Sequence, residues 1–425
     1  MKKLVYIISL LCLLGVAAVT AQDAGVDYAG LSADTLVIVQ PDGATISVPN
    51  PPGLSGAEAL VWSPDGSQLA YTLTDATYDE HIAVTDGTSV AVLANAGALE
   101  SGFPLSWTPD GQILFAQSLP PGSMGDTYVT NIALIAPEAN AQPVILGSVP
   151  FGVGCGGGSP IPSDWQYWEE AGFGGTTLAL RWTNYGILYS VMCSGAGLGL
   201  FNPQTGESYY LTPVTMQNGM PDPDVNITHA QLSPDGNRLL AIRRVYQEPD
   251  PLETLVLIDL ATGTITDVPT QMQPEQIAWS ASGDVYYAAH TTFDLDLLDN
   301  FTPEQLARIY TVWTEGYAID ANVMTIWRLN LQTGAETALF MGEAYYAARL
   351  TEAPDGSLWF SLIPNLNVWL QQIGDGTLDL AADVDGSQQR ATVAVNVYRV
   401  FLEGDWMTQT VATNFNQVTL RPSTP

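Results

Sequence analysis

The densest group of side chains able to bind a ligand lies in segment 152–175, GVGCGGGSPIPSDWQYWEEAGFGG. Aromatic rings and carboxylates follow one another closely there, after a glycine-rich stretch. Indole and phenol rings beside carboxylates suit stacking on sugar rings or the capture of a basic peptide. The candidate ligand-binding residues are therefore Trp165, Tyr167, Trp168, Glu169 and Glu170.

The motifs of the common catalytic and cofactor sites are missing from the sequence. The glycine-rich stretch is not a phosphate-binding loop, because no lysine follows it and the region is acidic. There is no GxSxG or HExxH motif, and His81, His229 and His290 lie in three separate parts of the chain. A pair of carboxylates that hydrolyses glycosides cannot be selected from 44 acidic residues. We assign no catalytic residue, no metal and no cofactor.

A second candidate segment, 290–323, contains a run of aspartates followed by the pattern of a helix start. Thr302, Pro303 and Gln305 fit an N-cap, a first helical residue and an N3 residue, which predicts a short helix over TPEQLARIYTVW. Calcium binding is the alternative, but FDLDLLDN lacks the glycine and final glutamate of an EF-hand loop. We expect a solvated loop before a helix, although the run includes Asp294, Asp296 and Asp299.

The first residues, MKKLVYIISLLCLLGVAAVTAQ, have the form of a signal peptide. A basic start and an apolar run end in small residues, which predicts cleavage after Ala21 and a secreted or periplasmic protein. The alternative is an uncleaved membrane anchor, although the apolar run is short for a span. No later stretch is apolar enough to cross a membrane. We expect no stable membrane insertion once 1–21 is removed.

Two cysteines, Cys155 and Cys193, are left after loss of Cys12 with the signal peptide. In an oxidising compartment they can form a disulfide, which would fix the 152–175 loop. The alternative is two buried free thiols. A metal site is disfavoured, because the chain has only three histidines and no CxxC motif.

The formal charge of the 425-residue chain is −32, from 44 acidic and 12 basic residues. The imbalance comes from missing bases, since Lys2 and Lys3 are the only lysines. Binding to nucleic acid needs clustered lysine and arginine side chains on the phosphates. The composition therefore excludes nucleic acid as a partner.

One phrase recurs along the chain, and its chemistry predicts a turn between two strands. Proline fixes φ, aspartate tolerates the next turn position, and glycine supplies a positive φ where a strand begins. Successive glycines of the phrase are 45, 75, 50, 47 and 73 residues apart, which indicates a repeat near 45 residues. We expect the aspartates to form turns and the tryptophans to pack in the core. The copies are WSPDG (62–66), WTPDG (107–111), WTNYG (182–186), LSPDG (232–236), WSASG (279–283) and EAPDG (352–356).

A second type of hairpin follows each phrase, so that each repeat holds four strands, and one more such hairpin, at 35–49, has no phrase before it. Such repeats arranged radially form a β-propeller, an all-β fold of four-stranded antiparallel blades. Seven blades are favoured over six plus a C-terminal extension, because seven second hairpins can be counted. N- and C-terminal strands would pair to close the ring. The hairpins are 35–49, 81–93, 131–146, 197–212, 254–269, 324–339 and 367–382, with further strand-like stretches at 391–402 and 407–420.

The W-S-P-D-G phrase and the V-x-D-x-x-T-G hairpin over 35–382 resemble the TolB-type, WD-like propeller repeat of exported bacterial proteins. We expect a signal peptide (1–21), a linker (22–34), a propeller (35–420) with insertions near 152–175 and 290–323, and a tail (421–425). The leading hypothesis is an exported, non-enzymatic binding or scaffold protein that presents its channel face to a protein or peptide partner. The alternative is a carbohydrate-binding or carbohydrate-hydrolysing propeller that uses the 152–175 loop, either by its aromatics or by carboxylates. A third interpretation of that loop is a cap over the central channel.

Overall fold

The structure, a computed structural model, describes most of the chain between Asp27 and Pro422. The described residues are 27–32, 35–77, 79–97, 99, 105–117, 129–150, 180–191, 197–217, 220–223, 226–245, 252–293, 296–311, 321–344, 346–363, 366–377, 396–400, 408–413 and 415–422. The predicted signal peptide and the whole of segment 152–175 lie outside them.

Thirty strands account for most of the described residues. In chain order they are β1 (Tyr28–Ser32), β2 (Thr35–Val39), β3 (Thr45–Val48), β4 (Leu54–Trp62), β5 (Leu69–Asp75), β6 (Glu80–Thr85), β7 (Val90–Val92), β8 (Ser106–Trp107), β9 (Ile113–Gln117), β10 (Val129–Ile135), β11 (Val144–Pro150), β12 (Leu180–Thr183), β13 (Gly186–Val191), β14 (Gly197–Phe201), β15 (Ser208–Tyr210), β16 (Val214–Gln217), β17 (Met220–Pro223), β18 (Asn226–Leu232), β19 (Arg238–Val245), β20 (Leu252–Asp259), β21 (Ile265–Val268), β22 (Gln276–Trp279), β23 (Val285–Phe293), β24 (Ala321–Leu329), β25 (Glu336–Glu343), β26 (Tyr346–Glu352), β27 (Leu358–Ile363), β28 (Asn396–Val400), β29 (Thr408–Thr413) and β30 (Phe415–Leu420).

These strands form seven four-stranded antiparallel blades, which confirms the predicted fold class and blade count. Blade 1 has the order β30-β1-β2-β3, and blades 2, 3 and 4 are β4–β7, β8–β11 and β12–β15. A separate hairpin, β16–β17, precedes blade 5 (β18–β21), which is followed by blade 6 (β22–β25) and blade 7 (β26–β29). The first strands of neighbouring blades contact one another, as β4 contacts β8 and β22 contacts β26, so they surround the central axis.

The ring is closed by the two ends of the chain, as the sequence predicts. β30 pairs with β1 in antiparallel register, with Tyr28 opposite Leu420. β1 lies inside segment 22–34, so the prediction of a linker there is wrong for Tyr28–Ser32. The sequence YAGLS is too short to show an alternating pattern, yet Tyr28, Ala29 and Leu31 are buried against their neighbours.

The predicted hairpin at 367–382 is wrong. Leu366–Asp375 is a helix, α2, and blade 7 is completed by β28 and β29 instead. Leu366, Leu370 and Ile373 recur at helical spacing, and the last two are buried. The other described α-helix, α1 (Pro303–Ile309), lies in the insertion of blade 6.

The repeated phrases form the predicted turns. In the first copy the Ser63 hydroxyl donates to Asp65 at 2.6 Å, the Ser67 N–H donates to it at 3.0 Å, and Gly66 has φ of +67°. The Ser63 hydrogen bond is the main reason that the pKa of Asp65 falls to about 2. Asp110, Asp235 and Asp355 accept equivalent hydrogen bonds.

The phrase tryptophans join neighbouring blades, as predicted. The indole N–H groups of Trp62, Trp107 and Trp279 donate to the carbonyls of Thr419, Val61 and Gln231, each in the preceding blade. These three tryptophans are buried, while Trp182 is half-buried and packs against the core of blades 3 and 4. Core packing is thus concentrated between blades.

The strand order divides the connections between two opposite faces. The turns between first and second strands and between third and fourth strands lie on one face, here called the turn face. Connections between second and third strands, and those between blades, lie on the other, here called the loop face. Every connection longer than eight residues leaves its strand at the loop face.

Candidate functional site

The two segments selected from the sequence lie in connections whose flanking strand ends are on the loop face. The first joins Pro150, the end of β11, to Leu180, the start of β12, and the second joins Phe293 to Ala321. Trp165, Tyr167, Trp168, Glu169 and Glu170 lie outside the described residues, as do Cys155 and Cys193. Their ligand-binding and disulfide assignments stay predictions.

The second insertion has the helix start that the sequence predicts. The Thr302 hydroxyl accepts from the N–H of Gln305, whose side chain in turn accepts from the N–H of Thr302. α1 ends at Ile309, so it is shorter than the predicted 302–313. Asp296 accepts from the N–H of Leu298, which gives this carboxylate a structural role. Asp294 is outside the described residues.

α1 and α2 pack against each other, although they belong to insertions of two different blades. The side chain of Gln305 donates to Asp375 at 2.7 Å, and Arg308 donates to the carbonyl of Gly374 at 2.5 Å. Gly374 makes the approach close, because a Cβ there would lie 3.1 Å from Cβ of Gln305. The two insertions therefore form a single helical module on the loop face.

Charged and polar side chains of blades 5 and 6 contact one another near the loop face; we call this group the seam cluster. It consists of Arg244 and Glu253 of blade 5, His229 on the first strand of that blade, and Glu275, Gln276 and His290 of blade 6. Arg244 donates through Nε and Nη2 to Oε1 of Glu253, at 2.8 and 2.5 Å. The Glu253 N–H donates at 2.9 Å to the side chain of Gln273, which lies in the connection from blade 5 to blade 6.

His290 and Glu275 form the second ion pair of the seam cluster, through Nδ1 of the imidazole. The hydrogen bond to Glu275 raises the pKa of His290, and the charges of Glu275 and Glu253 add to it against desolvation. His290 is therefore protonated over a wider pH range than a free histidine. In both ion pairs of the cluster the cation is the more exposed partner, at 36% for Arg244 and 39% for His290 against 11% and 15% for the carboxylates.

His229 behaves in the opposite way. Desolvation, and then the charge of Arg244, lower its pKa to about 4, so it is neutral at physiological pH. Its Nε2 lies 2.9 Å from the amide nitrogen of Gln276, so the neutral ring accepts this hydrogen bond. The seam cluster thus contains one histidine whose pKa is raised and one whose pKa is lowered.

The third histidine also lies on the loop face, at the start of β6 in blade 2. His81 contacts Asp75 at 3.1 Å, with the two side chains 32% and 28% exposed. His81 and His290 thus lie in the loop-face halves of their strands, and His229 lies at the middle of β18. The sequence did not reveal these positions, because the three residues belong to three repeats and no motif spans them.

The seam cluster can bind charged or polar groups, and its carboxylates orient the cations that face solvent. Within the described ranges, no group of three or more His, Cys, Asp or Glu side chains is arranged to hold a metal ion. The same described residues include no helix long and apolar enough to cross a membrane.

Comparison with known proteins matches the chain to solved structures at low sequence identity. No family model and no curated protein matches the chain. A 6-phosphogluconolactonase-like protein of Bacteroides fragilis is 11% identical, covers 95% of this chain and 99% of its own, and has a TM-score of 0.48. TolB of Acinetobacter baumannii is 12% identical over 95% of this chain and 86% of its own, with a TM-score of 0.39.

The β-propeller domain of the Trilobed protease from Pyrococcus furiosus is a third similar structure. It is 10% identical over 89% of this chain and 86% of its own, with a TM-score of 0.46. These neighbours differ in their described activities, and fold similarity at such identity transfers neither activity nor site residues.

Proposed function

We propose that the protein is an exported, non-enzymatic binding module that holds a protein or peptide partner on its loop face. The predicted signal peptide supports export. The resemblance of the W-S-P-D-G repeat to exported TolB-type propellers supports a binding role.

The observation that carries the proposal is the difference between the two faces. The turn face is closed by short turns whose aspartates accept hydrogen bonds within the turn, as Asp65 and Asp235 do. Every long connection leaves its strand at the loop face, which also carries the helical module and the seam cluster. Binding residues concentrate on long connections that a rigid scaffold positions. The loop face is therefore where a partner would contact the protein.

A photo-crosslinking experiment tests the proposal, with an aromatic residue on each face as a matched pair. Phe293, on the loop face, is 45% exposed, and Tyr185, in a turn of the other face, is 37% exposed. Each is replaced in turn by the photoreactive residue benzoylphenylalanine, and the exported chain is irradiated in its producing cells. We expect a discrete protein adduct from position 293 and none from position 185.

Two results would contradict the proposal. Adducts from position 185 alone would place the partner on the turn face. The lack of adducts from both positions would contradict the hypothesis of a protein partner. A glycan array probed with the mature chain tests the carbohydrate alternative. Glycan binding without a protein adduct would indicate that the partner is a sugar and not a polypeptide.

A further inference from the structure

Arg181 lies on β12, the innermost strand of blade 4, and its side chain is exposed. Its neighbours Leu180 and Trp182 pack in the core between blades 3 and 4. Because side chains alternate along a strand, Arg181 extends to the opposite side, toward blade 5. Leu188, its partner on β13, supports this direction, since it packs in the core between blades 4 and 5. The solvent beside an innermost strand is that of the central channel, so the exposed part of Arg181 lies there.

The guanidinium of Arg181 is exposed and yet confined. The protein atoms around it remove enough water to lower its pKa, and no charge of a described residue acts on it. An arginine on the outer surface of a protein would keep its full hydration. The group stays protonated, because arginine does not lose its proton in proteins. A solute that enters the channel therefore meets a permanent cation.

No carboxylate within the described part of the chain neutralises Arg181. The other arginines with described side chains all have a partner. Arg308 donates to the carbonyl of Gly374, and Arg238 lies 5.6 Å from the ring centre of Trp279. Among these described arginines, Arg181 alone has no contact of either kind and no ion pair. The arginines that pair with a carboxylate are Arg243, Arg244, Arg328, Arg399 and Arg421.

The repeat places Arg181 in a layer of the inner strands that contains no acidic residue. Each inner strand contributes the residue just before its phrase, and β30 contributes the equivalent residue. Carbonyls of this layer accept the indole hydrogen bonds between blades, as those of Thr419, Val61 and Gln231 do. An anion that reaches Arg181 is therefore opposed by no negative charge in the same layer. The seven residues are Thr419, Val61, Ser106, Arg181, Gln231, Ala278 and Thr351.

We propose that Arg181 binds a carboxylate group in the central channel, which belongs either to a small organic acid or to the C-terminal end of a polypeptide. Both sources present the same chemistry to the guanidinium. The site goes beyond the proposed function, because it does not depend on a partner at the loop face.

A single guanidinium suits a carboxylate better than an anion of higher charge. Its N–H groups lie in one plane and match the two oxygens of a carboxylate in a bidentate pair. One guanidinium neutralises one negative charge, whereas a phosphate dianion would leave an excess charge in a chain of net charge −32. We expect a dissociation constant of about 1 mM, because one ion pair supplies the main contact.

Arginine NMR on the full mature chain tests the site. The protein is labelled with ¹⁵N-arginine, and the Nε signal of Arg181 is identified as the one missing from Arg181→Gln. At pH 7 and constant ionic strength, the probes are acetate, N-acetyl-triglycine, the amide of that peptide, phosphate and chloride. We expect a saturable shift of the Arg181 signal with acetate, the peptide acid or both, and none with the amide. The carboxylate that binds more tightly identifies the source.

Arg181→Gln and Arg238→Gln form a matched pair of variants. Arg238 also has no ion pair among the described residues, but it lies at the turn-face start of β19. Binding of the carboxylate probes is followed by saturation transfer from the protein to the probe methyl group. We expect at least about tenfold weaker binding for Arg181→Gln and no change for Arg238→Gln.

The stability of Arg181→Gln separates a ligand site from a structural arginine. Without added carboxylate, we expect the variant to unfold at the same urea concentration as wild type or a higher one. The reason is that the substitution removes a desolvated charge that has no partner in the described part of the chain. A lower midpoint would show that a carboxylate of the protein itself holds the side chain, and would overturn the inference.

Three further results would overturn it: neither carboxylate shifts the Arg181 signal, phosphate or chloride binds as tightly as the carboxylates, or Arg238→Gln weakens binding as much as Arg181→Gln. These failures are distinguishable from failure of the proposed function. If position 293 crosslinks to a protein while Arg181 does not respond, the loop face still binds a partner and only the channel site is wrong.

Discussion

Arg421 and Asp27 form an ion pair across the closure of the ring, with Nη1 of the arginine 2.7 Å from Oδ2 of the aspartate. Asp27 directly precedes β1 and Arg421 directly follows β30, so the ion pair fastens the two strands that close the propeller. The same guanidinium donates to the carbonyl of Gly66 and lies 4.9 Å from the ring centre of Trp62. The Arg421 side chain therefore connects β1 and β30, the two strands that close the ring, to blade 2.

Replacement of Arg421 should weaken the closure. Arg421→Gln removes the ion pair, the hydrogen bond to Gly66 and the cation–π contact with Trp62. We expect a loss of about 1–3 kcal/mol in the free energy of unfolding, measured in urea, and faster amide exchange in β1. Arg328→Gln, which removes an ion pair within blade 6, should leave exchange in β1 unchanged. Equal exchange in β1 for wild type and Arg421→Gln would show that Arg421 does not hold the closure.

The indole hydrogen bonds between blades should have a measurable effect on stability. Trp107→Phe keeps a ring in the blade boundary but leaves the carbonyl of Val61 without its 3.0 Å donor. We expect a loss of about 1–2 kcal/mol. Trp182→Phe is the control, because the Trp182 indole nitrogen has no hydrogen bond among the described residues. If both variants lose the same stability, ring packing alone joins the blades.

Gly374→Ala tests the helical module through the sign of its effect. In an isolated helix this change stabilises by about 1 kcal/mol. Here the new Cβ would lie 3.1 Å from Cβ of Gln305, a residue held by its hydrogen bonds to Thr302 and Asp375. We therefore expect lower stability and faster amide exchange in α1 and α2. Slower exchange in both helices would mean that the module accommodates the methyl group.

The seam histidines should make stability depend on pH in opposite directions. His229 has a pKa of about 4 in the folded protein and about 6.5 in the unfolded chain. Unfolding therefore takes up a proton between about pH 4 and 6.5, and the free energy of unfolding decreases as pH falls through this range. The pKa of His290 is raised, so its contribution is complete below about pH 6.5 and is lost as pH rises through the folded value.

Urea unfolding between pH 4 and 9 measures both contributions. His229→Asn should flatten the acidic side of the stability profile, and His290→Asn should flatten the neutral-to-alkaline side. Each variant is the control for the other. If both variants change the same side, the assignment of one lowered and one raised histidine pKa is wrong.

The parts of the fold that follow from local chemistry could be predicted from the sequence. Proline, aspartate and glycine in the phrases dictate the turns, and the recurring tryptophans mark the boundaries between blades. The error at 367–382 has a physical cause. That segment follows a phrase at the distance where other repeats have a hairpin, and the repeat pattern outweighed the helical spacing of Leu366, Leu370 and Ile373.

The candidate site could be predicted only in part. The sequence selected segments 152–175 and 290–323, and Thr302 with Gln305 specified the helix start, because a capping box is a local signal. The seam cluster is different, since His229 and His290 come together only through the packing of blade 5 against blade 6. The packing of Gln305 against Gly374 likewise joins insertions of two repeats.

Hydrogen exchange of the chain with and without its crosslinked partner tests the central claim, that the loop face is the binding surface. The account predicts slower exchange at the loop-face strand ends near the seam, at 241–245, 252–256 and 286–293, with no change in the turns 63–68 and 233–237. Protection confined to those turns, with unchanged exchange at the seam, would contradict it.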